Sequence, residues 1–75
     1  MDKVEKISIT DEHINLGQFL KLTNLFDSGG FIKNYLQNEG VFVNNVKEHR
    51  RGRKLYNDDV VQIDESNIFI LHAEK

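Results

Sequence analysis

At Gly40 the hydrophobic period of this chain changes from about 3.6 residues to 2, which limits the fold more than any other feature. Before it, Leu16, Phe19 and Leu20 recur at i, i+3, i+4, and Ile32, Tyr35 and Leu36 repeat the pattern. Each triplet is the apolar stripe of an amphipathic helix. After it, Val41 and Val43 alternate with Phe42, and short apolar runs follow at Val60 to Ile63 and Ile68 to His72. Helices gathered in one half and strands in the other predict an α+β domain, with a helix pair packed on a small antiparallel sheet of four to five strands.

Punctuation residues set the order. Lys6 to Ile9 alternates and reads as a first strand, followed by a polar turn over Thr10 to His13. Asn15 is an N-cap for the first helix, which is expected to end near Asn24, with Leu25 and Phe26 closing over the core. Asp27 or Ser28 caps the second helix, and Gly40 stands at its C′ position. Asn44-Asn45 predicts a two-residue hairpin turn, because Asn tolerates the positive φ such turns require. Val46 starts the return strand, and further turns fall at Asn57-Asp58-Asp59 and Asp64 to Asn67. The expected order is β-α-α-β-β-β-β. Phe31 and Phe42 lie off the inner stripes, so either they are exposed stacking aromatics or the register is one residue out.

With 75 residues, the chain is read as one domain, residues 1–75. It has no cysteine, which excludes disulfides, thiolate metal sites and cysteine nucleophiles. No apolar run approaches the roughly 20 residues of a membrane span. Met1 to Lys6 has no apolar signal region, so a cytoplasmic, monomeric protein without a membrane partner is expected. His13, His49 and His72 are not at metal-ligand spacing, and the pairs Asp11-Glu12, Asp58-Asp59 and Asp64-Glu65 fall in turns, where acids bond their own backbone. No phosphate-loop, nucleophile or cofactor motif is present. The expectation is a protein that is not an enzyme and uses no cofactor and no metal.

Charge is where the average misleads. The total is −2, yet Lys47 to Lys54 holds Lys47, Arg50, Arg51, Arg53 and Lys54 against the single acid Glu48. That segment carries +4 and the remainder −6. Arginine forks match phosphate oxygens, lysine adds a mobile charge, and Gly52 lets the backbone bend or approach a ligand. The bland alternative is a solvated loop that offsets the acidic body. Ser28, Gly29 and Gly30 at the start of the second helix offer free amides to an anion, with Lys33 one turn on; a plain capped turn is the alternative there. Gln18 and Lys21 lie on the polar side of the first helix.

These residues together resemble a known family. Residues 14–63 are similar to the small RNA-binding domain named after ribosomal protein S-four, the α-L motif, with flanking strands at 6–9 and 68–72. The likeness rests on Leu16 and Leu20, Asp27-Ser28, Ile32 to Leu36, the run Gly40-Val41-Phe42-Val43-Asn44, and Asp58-Asp59-Val60-Val61. The family usually carries arginine where this chain has Gly17 and Gly29, and glycine where it has Asn45 and Asp58. The strings Leu16-Gly-Gln-Phe-Leu-Lys21, Asp27-Ser-Gly-Gly30 and Arg50-Arg-Gly-Arg-Lys-Leu55 resemble a bacterial stand-alone subgroup, the YaaA and YbcJ type, in which the arginine string takes over as the basic element.

The resemblance implies a bacterial cytoplasmic protein that binds structured RNA, ribosomal RNA or a ribosomal subunit, during ribosome assembly. The expected contacts are Gln18, Lys21, Ser28, Gly29, Gly30, Lys33, Lys47, Arg50, Arg51, Arg53 and Lys54. As exposed charges, the arginines are expected to contribute little to folding. The alternative function is a protein-interaction module whose basic segment docks on an acidic partner. A β-grasp sulphur carrier is set aside, because the chain ends His72-Ala-Glu-Lys75 rather than in Gly-Gly.

Overall fold

The computed structural model describes residues 4–74. Seven strands and two helices follow in the order β1 (Val4–Ile9), β2 (His13–Asn15), α1 (Leu16–Leu22), α2 (Gly29–Asn38), β3 (Val41–Val43), β4 (Val46–Glu48), β5 (Lys54–Tyr56), β6 (Val60–Gln62) and β7 (Ile68–Ala73). The main sheet has the order β1-β7-β6-β3-β4, and β2 pairs with β5 in a separate antiparallel ribbon. The α+β class stands. The sheet departs from the purely antiparallel expectation, because β1 and β7 run parallel, with Val4 opposite Ile68 through Ile9 opposite Ala73. Alternation of side chains is the same in either direction, so the pattern of a strand does not reveal its partner's direction.

The local signals explain the helix ends. Asn15 Oδ1 accepts the Gln18 amide at 2.9 Å, the N-cap contact of α1. The helix closes at Thr23, and Asn24 takes φ +62° just beyond it. For α2 the cap is Ser28, whose Oγ accepts the Phe31 amide at 3.2 Å; Asp27 does not serve. Asn44 and Asn45 sit at φ +51° and +70°, the pair of positive values a tight hairpin turn needs. The Asn44 side chain also accepts from the Val60 amide and donates to Asp59 Oδ1, tying that turn to the start of β6. Asp58, at φ +73°, and Asn45 adopt the backbone for which the resembled family uses glycine.

The buried stripes meet in one core. Leu16, Phe19 and Leu20 of α1 and Ile32 and Leu36 of α2 pack on Val41, Val43, Val61, Phe69 and Leu71 of the sheet and Leu55 of β5. Burying each such side chain stabilises the fold by roughly 1.5–3 kcal/mol. Phe26 packs against this core, whereas Leu25 does not close over it and stays 46% exposed. Phe31 and Phe42 face solvent, which places the register as read. The ribbon β2–β5 was not anticipated: His13 belongs to a strand rather than a turn, and three residues are too few to show a period.

Gly40 is the tightest point. Its φ is +76°, and a Cβ there would lie 2.8 Å from His49 Cε1 and 3.0 Å from the Glu48 carbonyl. Gly52 lies in the turn that the Arg53 amide closes on the Arg50 carbonyl at 3.3 Å, but it has open space at the Cβ position and no left-handed φ, so this bend does not require glycine. Gly40→Ala is therefore expected to lower stability by about 1–3 kcal/mol, read as a fall in Tm of about 4–8 °C per kcal/mol for a domain of this size. Gly52→Ala is expected to be neutral or slightly stabilising. Equal melting temperatures for the two variants would contradict this account.

Candidate nucleic-acid interface

The basic loop between β4 and β5 is shaped by one carboxylate. Glu48 is only 7% exposed. Its Oε2 accepts the His49 and Arg50 amides and Arg50 Nε, each at 3.1 Å, while Oε1 accepts from Arg53 Nη1 at 2.9 Å. A charge removed from water needs such partners. The Arg50 hydrogen bond is the main reason the Glu48 carboxyl is lowered to about 2, with Arg53 adding to it against the opposing effect of burial. Arg50 and Arg53 are thus ion-paired to a buried acid within the loop, a link to the fold that the reading of them as exposed charges did not include. Arg53 is two-thirds covered, at 32% exposure, whereas Arg50 keeps 77%.

Main-chain contacts fix the loop against the helices. The carbonyls of Arg53 and Arg51 accept the Leu16 and Gly17 amides at 2.8 and 2.9 Å, so the loop caps the first turn of α1. Because carbonyls and Asn15 take those amides, the arginine side chains are left to point elsewhere. At the other end, His49 Nδ1 donates to the Leu36 carbonyl at 2.6 Å, which joins the loop to the last turn of α2.

This seating creates a notch of about 320 Å³ lined by Asn15, Gly17, Gln18, Lys21, Gly29, Ile32, Arg51 and Gly52. Four of the anticipated contacts, Gln18, Lys21, Gly29 and Arg51, meet there from three separate stretches of chain. A Cβ built on Gly29 would lie 3.6 Å from Lys21 Cε and 3.7 Å from its Nζ, so that ammonium rests against the amino end of α2. The first amides of a helix have no intrahelical partner and carry partial positive charge. Among the described residues no carboxylate pairs with Lys21 or Arg51. An ammonium, a guanidinium and a helix amino end without a counter-charge make a place for an anion.

The remaining candidates divide. Arg50, Arg53 and Lys54 line an adjoining concavity that shares Gly52 with the notch. Ser28 and Gly30 lie exposed at the amino turn of α2, with the Ser28 hydroxyl occupied as a cap. Lys33 is exposed four residues after Gly29, on the same flank of α2 by helical spacing, but lines neither concavity. Lys47 leaves the group: it faces out from β4, its Nζ 4.8 Å from the centre of the Phe42 ring. The sequence reading missed the role of Glu48. Its signal was there as one acid two and five residues before arginines. Among the described residues no three His, Asp or Glu side chains cluster as metal ligands, and no helix is long and apolar enough to cross a membrane.

Fold and notch together define a small α+β domain that presents a cationic surface on a helix pair. The chain belongs to the S4 domain family, whose model matches residues 7–71. It is similar to the probable ribosome maturation protein RlbA of Bacillus subtilis (strain 168), with 53% identity over 58 residues, 77% of this chain and 82% of that protein. No solved structure matches it.

The Glu48 account is tested by acid. A carboxyl lowered in the folded state adds stability that is fully present above its ordinary value near 4.5 and is lost as pH falls towards about 2. Glu48→Gln is expected to be less stable than the parent at pH 7. The difference should shrink between pH 5 and pH 2 as the parent carboxyl protonates, as read from urea denaturation across that range. A constant difference would assign the loss to packing rather than charge.

Proposed function

We propose that this protein binds structured RNA without catalysis, and that its ligand is ribosomal RNA in an assembling ribosomal subunit in the bacterial cytoplasm. The observation that carries the reading is the notch: Lys21 rests against the amino end of α2, Arg51 lines the same notch, and among the described residues neither pairs with a carboxylate. Phosphate oxygens are the anions that a fork, an ammonium and free amides suit together. Structured RNA is recognised largely by shape and backbone, which fits a shallow surface with open flanks. Family membership and the likeness to a probable ribosome maturation protein support the same reading.

The departures from the family pattern support it too. Gly17 and Gly29 stand where the family usually has arginine. The Cβ of Arg51 lies 3.5 Å from the Cβ position of Gly17, and Lys21 lies against that of Gly29. Two cations from elsewhere in the chain thus occupy the neighbourhood of the two missing ones. Lys21, Arg51 and Lys54 form the inner contact set, Arg50 and Arg53 add their unused N–H groups, Gln18 and the Gly29 and Gly30 amides take oxygens, and Lys33 extends the surface along α2.

The test separates binding from folding. Lys21, Arg51 and Lys54 are outside the Glu48 contacts, so their replacement by Gln should leave Tm nearly unchanged. Three phosphate contacts give a slope in log K against log [salt] of roughly −2 to −3, and the triple variant should lose that much of the parent slope for a ribosomal RNA fragment. Replacing Arg50, Arg51 and Arg53 instead should reduce Tm as well, because Glu48 is then stranded. A folded Lys21/Arg51/Lys54 variant with the parent affinity and salt slope would refute the proposal. Gly29→Asp provides a second arm. The carboxylate is favourable at a helix start, by about 0.3–1 kcal/mol, yet it sets a negative charge beside Lys21. RNA binding is expected to weaken while stability holds or rises; unchanged binding would reduce this turn to a cap.

A further inference from the structure

The flank of α2 turned away from the notch carries a different surface. Phe31 and Tyr35 are four residues apart, roughly opposite Gly29 and Lys33 around the helix axis by helical geometry. Phe26 lies between them, its ring centre 6.2 Å from Phe31 and 5.2 Å from Tyr35, both edge-on. With Leu25 and Ile63 these rings line a depression of about 260 Å³ whose rim includes Asp64. Phe31 is 54% and Leu25 46% exposed, high values for large apolar side chains that sit together.

The charge around this depression is acidic. Asp64 is held ionised chiefly by the Asn67 amide group, and the Ser66 and Asn67 amides also donate to it. Burial, then Asp64, then Glu39 push the Tyr35 hydroxyl up; Asp64 lines the depression beside that ring, and Glu39 follows Tyr35 by four residues, on the same flank of α2 by helical spacing. The cations of the notch and its loop belong to the other flank. We propose that this aromatic depression docks a lysine- or arginine-rich protein segment that inserts leucine- or isoleucine-sized anchors between Leu25, Phe31 and Tyr35.

Three features select this occupant. Exposed aromatic rings could stack on bases, but the phosphates of that strand would face Asp64 and Glu39. A second copy of the chain packed symmetrically would set the same acidic rim against itself. A basic segment with apolar anchors satisfies both the rings and the rim, and acidic rims of this kind steer cationic partners. The proposal does not depend on the RNA reading, because it uses none of the notch residues.

Isotope-labelled protein titrated with a 12-residue lysine–leucine peptide tests it, alongside the glutamate–leucine counterpart, an all-lysine peptide and a ten-nucleotide oligouridine. The lysine–leucine peptide should move the amide resonances of Phe31, Tyr35 and Asn67 and leave those of Lys21 and Arg51 in place. Phe31→Ser or Leu25→Ser, each at a position about half exposed, should weaken it at least about 10-fold while the variant stays folded with only a small fall in Tm. Equal response to the glutamate–leucine or the all-lysine peptide, patch shifts with oligouridine, loss of patch signals on raising protein concentration alone, or no lysine–leucine binding at millimolar concentration would each overturn the proposal.

Discussion

A carboxylate removed from most of its water must be given hydrogen bonds, and Glu48 takes five of them from residues 49–53. That demand turns a string of like charges into a structured loop. Arginines drawn towards one acid no longer repel one another along an open chain. Their backbone is bent so that the carbonyls of Arg51 and Arg53 meet the amino end of α1. The notch exists because the loop is seated there; a freely solvated loop would leave Lys21 and Gly29 at the surface with no third wall.

The second constraint is the close approach at Gly40. The chain leaves α2 through a left-handed residue with no side chain, and His49 fills the space and bonds the Leu36 carbonyl. Loop and helix pair are thereby held from two sides, at the start of α1 and at the end of α2. The result is a fixed backbone beneath Lys21, Arg51 and Lys54, whose side chains form no ion pair among the described residues. A surface that recognises a backbone by shape needs that combination, since the array must be positioned while its tips adapt to uneven phosphate spacing. α2 then separates two chemistries, the cationic flank with Gly29 and the aromatic, acid-rimmed flank with Phe31 and Tyr35.

Much of this was legible in the chain. The stripes of Leu16, Phe19, Leu20 and of Ile32 and Leu36 became the buried faces, and the signals at Asn15, Ser28, Gly40 and Asn44-Asn45 sit where the backbone needs them. Such features are local: a cap or a positive φ is decided by a residue and its next few neighbours. Less legible were β2 and β5, each three residues long, and the parallel match of β1 with β7 across nearly the whole chain.

For the site, the sequence by itself determined which residue types were on hand: a basic run, a glycine pair at a helix start, a lysine and a glutamine on one helix face. It also determined the two helices, the period switch and the turns, because side-chain period and backbone preference act over a few residues. Only the tertiary structure decided which of those charges stand together. It sent Lys47 to the ring of Phe42, bound Arg50 and Arg53 to Glu48, and brought Arg51 to Lys21 and Gly29. The physical reason is desolvation: a charge is assigned its partner by what folding buries beside it, and burial depends on segments that are distant in sequence.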